Sequence, residues 1–210
     1  MLVIFDIDGT LNMTETYGIE AYHEALGKMD ADHFSDAQLK ERIGATFTED
    51  VRYFFGDDAK EKMDEFSSLI RKLWFAKINK KATLFPGVLD MLHVLRKKGH
   101  QLAICSNADE SEITIILKAL HIEHEFDFVQ GLTECDNKSD SLRVLLQYAL
   151  PDRAVMVGDR IYDMQAAEIN HIPFIGCLYG YGNLHELDGA QYRVTEASLI
   201  PEIIDMLNVQ

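Results

Sequence analysis

Positive charge is scarce in this 210-residue chain: 20 Lys+Arg stand against 35 Asp+Glu, a formal net charge of −15. Nucleic acid and anionic membranes require a basic footprint, so both are excluded as expected partners. Cysteine is scarce too. Cys105, Cys135 and Cys177 are odd in number, far apart and without a CxxC pair, which excludes a disulfide framework and predicts reduced thiols. Cys105 sits in an apolar segment and reads as a small core residue. No apolar run approaches the roughly 18 residues that cross a bilayer. The opening residues, Met1-Leu2-Val3-Ile4-Phe5-Asp6, lack the basic stretch and long apolar core of a secretory signal, so a cytoplasmic protein is expected. Hydrophobic residues at 47% and charged residues at 26% are globular values and exclude wholesale disorder.

The length suits one domain with a modest insertion. Leu2 to Phe5 reads as a buried parallel strand. After Phe85-Pro86-Gly87 the pattern alternates. A helix carries Val88, Met91, Leu92 and Leu95; a strand spans Leu102 to Cys105; a helix carries Ile113, Ile116, Leu117 and Leu120. Strands are expected at Phe126–Val129, Ala154–Val157 and Phe174–Cys177, with helices at Leu142–Leu150, Met164–Asn170 and Leu199–Leu207. This alternation predicts an α/β fold with a doubly wound parallel sheet, whose ligand site lies at the carboxyl ends of the strands. Residues 14–81 have almost no strand signal and are expected to form an inserted α-helical cap, with residues 1–13 and 82–210 as the core domain.

The chemistry concentrates at strand ends. Asp6-Ile7-Asp8-Gly9-Thr10-Leu11 places two acids directly after the first strand, without the further ligands and final Glu of an EF-hand loop. A second acidic site, Gly158-Asp159-Arg160 with Asp163 four residues after Asp159, ends another strand. Carboxylates crowded this way are tolerable around a divalent cation, and oxygen ligands suit Mg²⁺. Ser106-Asn107 offers a hydroxyl, an amide and backbone N–H groups for phosphate oxygens, and Lys138 a fixed positive charge. In isolation Ser106 also reads as an ordinary cap and Lys138 as a solvated lysine. Their order along the chain is what gives them meaning.

Those four segments, in that order, resemble the motifs of haloacid dehalogenase superfamily hydrolases of the phosphoglycolate phosphatase-like group. Phe85-Pro86-Gly87-Val88 and Gly180-Tyr181-Gly182 resemble that group as well. The resemblance implies a Rossmann-like core and a Mg²⁺-dependent phosphatase acting on a small phosphate ester through an aspartyl-phosphate. It implies Asp6 as nucleophile and Asp8 as the acid that protonates the leaving oxygen and later activates water. It implies Lys138, Ser106, Asn107, Gly9 and Thr10 around the phosphate. Mg²⁺ would be held by Asp6, the Asp8 carbonyl and Asp159, with Asp163 orienting Lys138 or metal-bound water.

Arg42-Ile43-Gly44-Ala45-Thr46 resembles the substrate-specificity loop of such caps, making Arg42 and Thr46 candidate leaving-group contacts; the same segment also reads as a plain helix–helix turn. Tyr17 and His23 read more simply as core or surface residues. Ser139, Asn12-Met13 and Arg160 depart from the group's common pattern, which favours a general phosphomonoesterase over phosphoglycolate specificity. The alternatives are a β-phosphoglucomutase-type mutase, disfavoured by Thr10, and a non-catalytic relative of the fold, disfavoured by the intact acids. A monomer is expected.

Overall fold

The computed structural model describes residues 1–183 and 185–209. Six strands, β1 (Leu2–Phe5), β2 (Gln101–Cys105), β3 (Phe128–Gln130), β4 (Ala154–Gly158), β5 (Phe174–Cys177) and β6 (Tyr192–Val194), form one sheet in the order β3-β2-β1-β4-β5-β6. Every pairing is parallel. The continuous apolar run of β1 has a direct cause. Side chains alternate across a strand, so Val3 and Phe5 enter one core and Leu2 and Ile4 enter the other. A sheet covered on both faces permits no polar residue until the strand ends, and β1 gives way at once to Asp6.

The expected α/β architecture is borne out, with differences at its margins. Strand β6 was not expected; it is short and pairs only with β5, so its apolar signal is weak. The helix expected at Met164–Asn170 begins earlier, as α8 (Ile161–Ile169), because the Asp163 carboxylate accepts the Arg160 N–H at 2.9 Å and caps the first turn. The helices on the sheet also include α5 (Val88–Lys97), α6 (Glu110–Ala119), α7 (Lys138–Ala149) and α9 (Ile200–Val209). Among the described residues no helix is long and apolar enough to cross a membrane.

Between β1 and α5 lie α1 (Glu15–Lys28), α2 (Asp36–Arg42), α3 (Phe47–Phe55) and α4 (Ala59–Lys81). The chain leaves and re-enters this block side by side: Met13 N–H donates to the Thr83 carbonyl at 2.7 Å, and Phe85 N–H to that of Leu11 at 3.0 Å. Aromatic side chains bind the helices together, with Trp74 of α4 packed edge-on against both Tyr17 and Tyr22 of α1 at centroid distances of 5.4 Å.

Candidate active site

The strand order reverses direction between β1 and β4, the switch point at which open α/β sheets bind ligands. Asp6 follows β1, Asp159 follows β4 and Ser106 follows β2, so three neighbouring strands deliver their polar residues to one place. The turn after β1 is tight, with the Ile7 carbonyl accepting the N–H groups of Thr10, Leu11 and Asn12. Gly9 sits in it at φ +92°, and a Cβ there would lie 2.2 Å from Asp159 Oδ2. No side chain fits, and the two strand ends close on each other for that reason.

Lys138, at the first turn of α7, reaches 132 residues back to donate to Asp6 Oδ1 and stands 2.5 Å from Asp163 Oδ1. All three side chains are buried. Burial works against the ammonium, but the Asp163 and Asp6 carboxylates outweigh it and hold the Lys138 pKa above its ordinary value. Asp6 is raised well above the usual carboxylate range, first by burial and then by the acids around it, with Lys138 opposing. Asp159 accepts Thr10 Oγ1 at 3.0 Å and the Tyr181 N–H at 2.7 Å, yet burial and Asp163 still push it up to about 7.

Carboxylate oxygens of Asp6, Asp159 and Asp163 lie within 4.8 Å of one another. Among the described residues Lys138 is the cation in ion-pair contact with Asp6 and Asp163. The oxygens are close enough together to share one divalent cation, and carboxylate oxygens are the ligands such a cation takes. The donor set is therefore a fit for a hard divalent cation.

Asp8 stands apart from that cluster. Its Oδ1 accepts from Thr14 Oγ1 and, at 3.3 Å, from Asn12 Nδ2, which also contacts Tyr17 OH at 2.7 Å. Burial raises the Asp8 pKa against these hydrogen bonds, which lower it. Asp6, Asp8, Ser106 and Asn107 together line a cavity of about 360 Å³ that extends under α1, α3 and α4. Ser106 Oγ accepts the Ala108 N–H at 3.2 Å, and Asn107 Nδ2 donates to the Gly44 carbonyl at 2.9 Å, fastening the 43–45 turn over the site.

Arg42 and Thr46 do not line this cavity. Arg42 Nε donates to Asp50 Oδ1 at 2.9 Å, and Thr46 is the N-cap of α3, accepting Glu49 N–H at 3.3 Å. The turn between them contributes Ile43, Gly44 and Ala45 instead. Tyr17 is wholly buried, and His23 stands at the surface between Asp32 and Asp36, 2.7 Å from each. Cys105 is buried, its thiol pushed up to about 12, as befits an inert core residue.

Several contacts lay beyond sequence reasoning: Thr10 and Tyr181 on Asp159, Asn12 and Thr14 on Asp8, and the far cavity wall of Tyr22, Phe47, Trp74 and Glu112. Gly180-Tyr181-Gly182 carried a usable signal, since a Cβ at Gly180 would lie 2.3 Å from Asp159 Cβ. Arg160 donates through its guanidinium to the Ile43 carbonyl and to Glu186 Oε1 at 2.8 Å, tying the 43–45 turn to the strand-end loops. Arg160→Ala is expected to loosen that turn by about 1–3 kcal/mol, the usual cost of losing charged hydrogen bonds. Hydrogen exchange checks it: the Ala45 amide should exchange faster, and an unchanged rate would refute the fastening role.

The sequence matches the family of haloacid dehalogenase-like hydrolases over residues 3–177. It is 28% identical to the tyrosine-protein kinase PtkA of Mycobacterium tuberculosis, over 99% of this chain and 72% of that protein. It is likewise 28% identical to the phosphoglycolate phosphatase of Rhodospirillum rubrum, over 85% of this chain and 80% of the relative. A crystal structure of a "predicted phosphatase" from Clostridium acetobutylicum superposes with a TM-score of 0.88 at 24% identity, covering 100% of this chain and 98% of that one.

Proposed function

The chain belongs to the haloacid dehalogenase-like hydrolase family and is a phosphatase of that family, and from that premise we propose that it is a Mg²⁺-dependent phosphomonoesterase for a small phosphorylated metabolite. Residues 1–13 and 82–210 are its catalytic core and residues 14–81 its cap. The observation that carries the reading is Lys138 bound to Asp6, which lines one cavity with Asp8, Ser106 and Asn107.

In this mechanism an Asp6 carboxylate oxygen attacks phosphorus in line. The phosphorus–ester oxygen bond breaks, an acyl-phosphate forms on Asp6, and Asp8 gives its proton to the departing alkoxide. Water then attacks the acyl-phosphate while Asp8 takes back a proton, releasing inorganic phosphate and free Asp6. The Thr14 and Asn12 contacts hold Asp8 by Oδ1, while the residue itself faces the cavity. Lys138, the Ser106 hydroxyl and the Asn107 backbone stabilise charge on the transferring oxygens. Asp6, the Asp8 carbonyl and Asp159 would hold Mg²⁺, with Asp163 acting through Lys138, and a bound ion would supply charge neutralisation for the phosphate.

Asp8→Asn is expected to lower kcat by about 10²–10⁴, the usual worth of a general acid–base, while phosphate-ester binding persists. Steady-state kinetics with calorimetric binding check this; an equal loss in affinity would make Asp8 structural. The reading as a whole is tested by hydrolysis of phenyl phosphate with and without Mg²⁺. Turnover that requires the ion is expected, and none at any neutral pH would overturn it. The mutase alternative is tested by following a sugar monophosphate for isomerisation rather than phosphate release.

A further inference from the structure

We propose that the cavity selects a phosphomonoester whose alcohol has an apolar body ending in a protonated amine, and that Glu112 recognises the amine. This rests on the phosphatase reading above and names the substrate class within it.

The cavity has two chemically distinct ends. Asp6, Asp8, Ser106 and Asn107 mark the phosphate end. Beyond them the wall is aromatic: Tyr22 of α1, Phe47 of α3, and Phe66 and Trp74 of α4. A leaving group that fills this end gains by burying apolar surface, and a cation beside Trp or Tyr gains further from the ring faces.

The charged side chains of the outer wall decide its sign. Asp50 is already matched, by Arg42 Nε at 2.9 Å and Tyr22 OH at 2.6 Å. Asp109 caps α6 through the Ser111 and Glu112 N–H groups and pairs with Arg71. Arg71 is thereby occupied, its second nitrogen lying on Ser111 Oγ. Glu112 is left. Among the described residues its carboxylate has no ion-pair partner within 4 Å, and burial pushes it up to about 8. On the same cavity the Trp74 indole, in a side chain only 9% exposed, stands beside Glu112 and opposes the rise in its pKa. Glu112 therefore has a neighbouring donor but no cation at ion-pair distance, which an amine on the ligand would supply.

A carboxylate or second phosphate on the leaving group would meet Glu112 with no uncommitted cation on the wall. A protonated amine would favour the ionised form of Glu112 and pair with it in a desolvated site, where one ion pair is worth far more than in water.

The test is a matched series of aryl phosphates with one body and three ends: tyramine phosphate (amine), 4-ethylphenyl phosphate (neutral), and the phosphate of 3-(4-hydroxyphenyl)propanoate (carboxylate). With Mg²⁺ present, kcat/KM is expected to fall in that order, the amine exceeding the carboxylate by at least about tenfold, which is ~1.4 kcal/mol. In Glu112→Gln the amine-to-neutral ratio should drop to about one, with the change in KM rather than kcat. A carboxylate ester that equals or beats the amine in the wild type overturns the proposal; if Arg71→Ala then abolishes that preference, the pocket belongs to an anion. Persistence of the amine's advantage in Glu112→Gln overturns it as well. No hydrolysis of any of the three defeats the phosphatase reading itself, which separates the two failures.

Discussion

Replacing Asp6 by Asn is expected to abolish turnover, by about 10⁴-fold or more, the scale on which removal of a covalent nucleophile acts. Asparagine keeps the volume and one acceptor oxygen, so Lys138 retains a neighbour and the site its shape. What disappears is the anionic oxygen that attacks phosphorus in the proposed mechanism, and the neighbouring acids are engaged elsewhere. Asp8 is held through Oδ1 by Thr14 and Asn12, and Asp159 is held by Thr10 and Tyr181. Phosphate release from phenyl phosphate measures the loss. Acid-quenched wild-type enzyme examined by mass spectrometry should carry the mass of one phosphoryl group, and the Asn variant none. Residual activity within tenfold of wild type would remove Asp6 from the nucleophile's role.

The second large effect concerns Lys138. Among the described residues it is the cation that touches both Asp6 and Asp163. Lys138→Met keeps the side chain's length and apolar stem but leaves buried carboxylates facing one another without a counter-charge. Breaking a buried ion pair from one side costs about 3–5 kcal/mol. In a chain of this length that lowers Tm by roughly 6–20 °C, at about 2–4 °C per kcal/mol. Saturating Mg²⁺ should restore part of the loss, because a divalent cation among the same oxygens replaces the missing charge. Calorimetry of both proteins with and without Mg²⁺ checks this. An unchanged Tm in the Met variant without Mg²⁺ would mean that Lys138 does not hold the cluster together. Turnover should fall with stability, since the same ammonium faces the transferring phosphoryl oxygens in the proposed mechanism.

Much of the core was legible because its signals are local. A strand buried on both faces must be apolar throughout, so Leu2–Phe5 and Ala154–Gly158 announce themselves, and the acids that follow are conspicuous by contrast. Lys138 could be placed at a helix start because Asn137 supplies the N-cap, accepting the Asp140 N–H at 2.9 Å. The surroundings of the cap residues were not legible in the same way. Arg42 and Thr46 have the right neighbours in sequence, yet Arg42 found Asp50 and Thr46 capped its own helix. Local hydrogen bonds satisfied both before any substrate could. Glu112 and Trp74 carry no motif, and only the packing of α4 beside α6 brings them to one cavity wall.

The scarcity of positive charge takes on a definite meaning in this light. Three of the surplus acids, Asp6, Asp159 and Asp163, gather within the site, two of them on Lys138. The sequence by itself determined the sheet, the strand-end chemistry and the family, because those depend on side-chain alternation and on short segments read in order. The tertiary structure alone decided which acids meet, that Asn107 and Arg160 hold the turn over the site, and that the far end of the cavity is aromatic with Glu112 on its wall. Those facts join residues far apart in sequence, as Lys138 and Asp6 are at 132 positions. Such distances are closed by the parallel crossovers of the sheet and by helix packing, which no local pattern encodes.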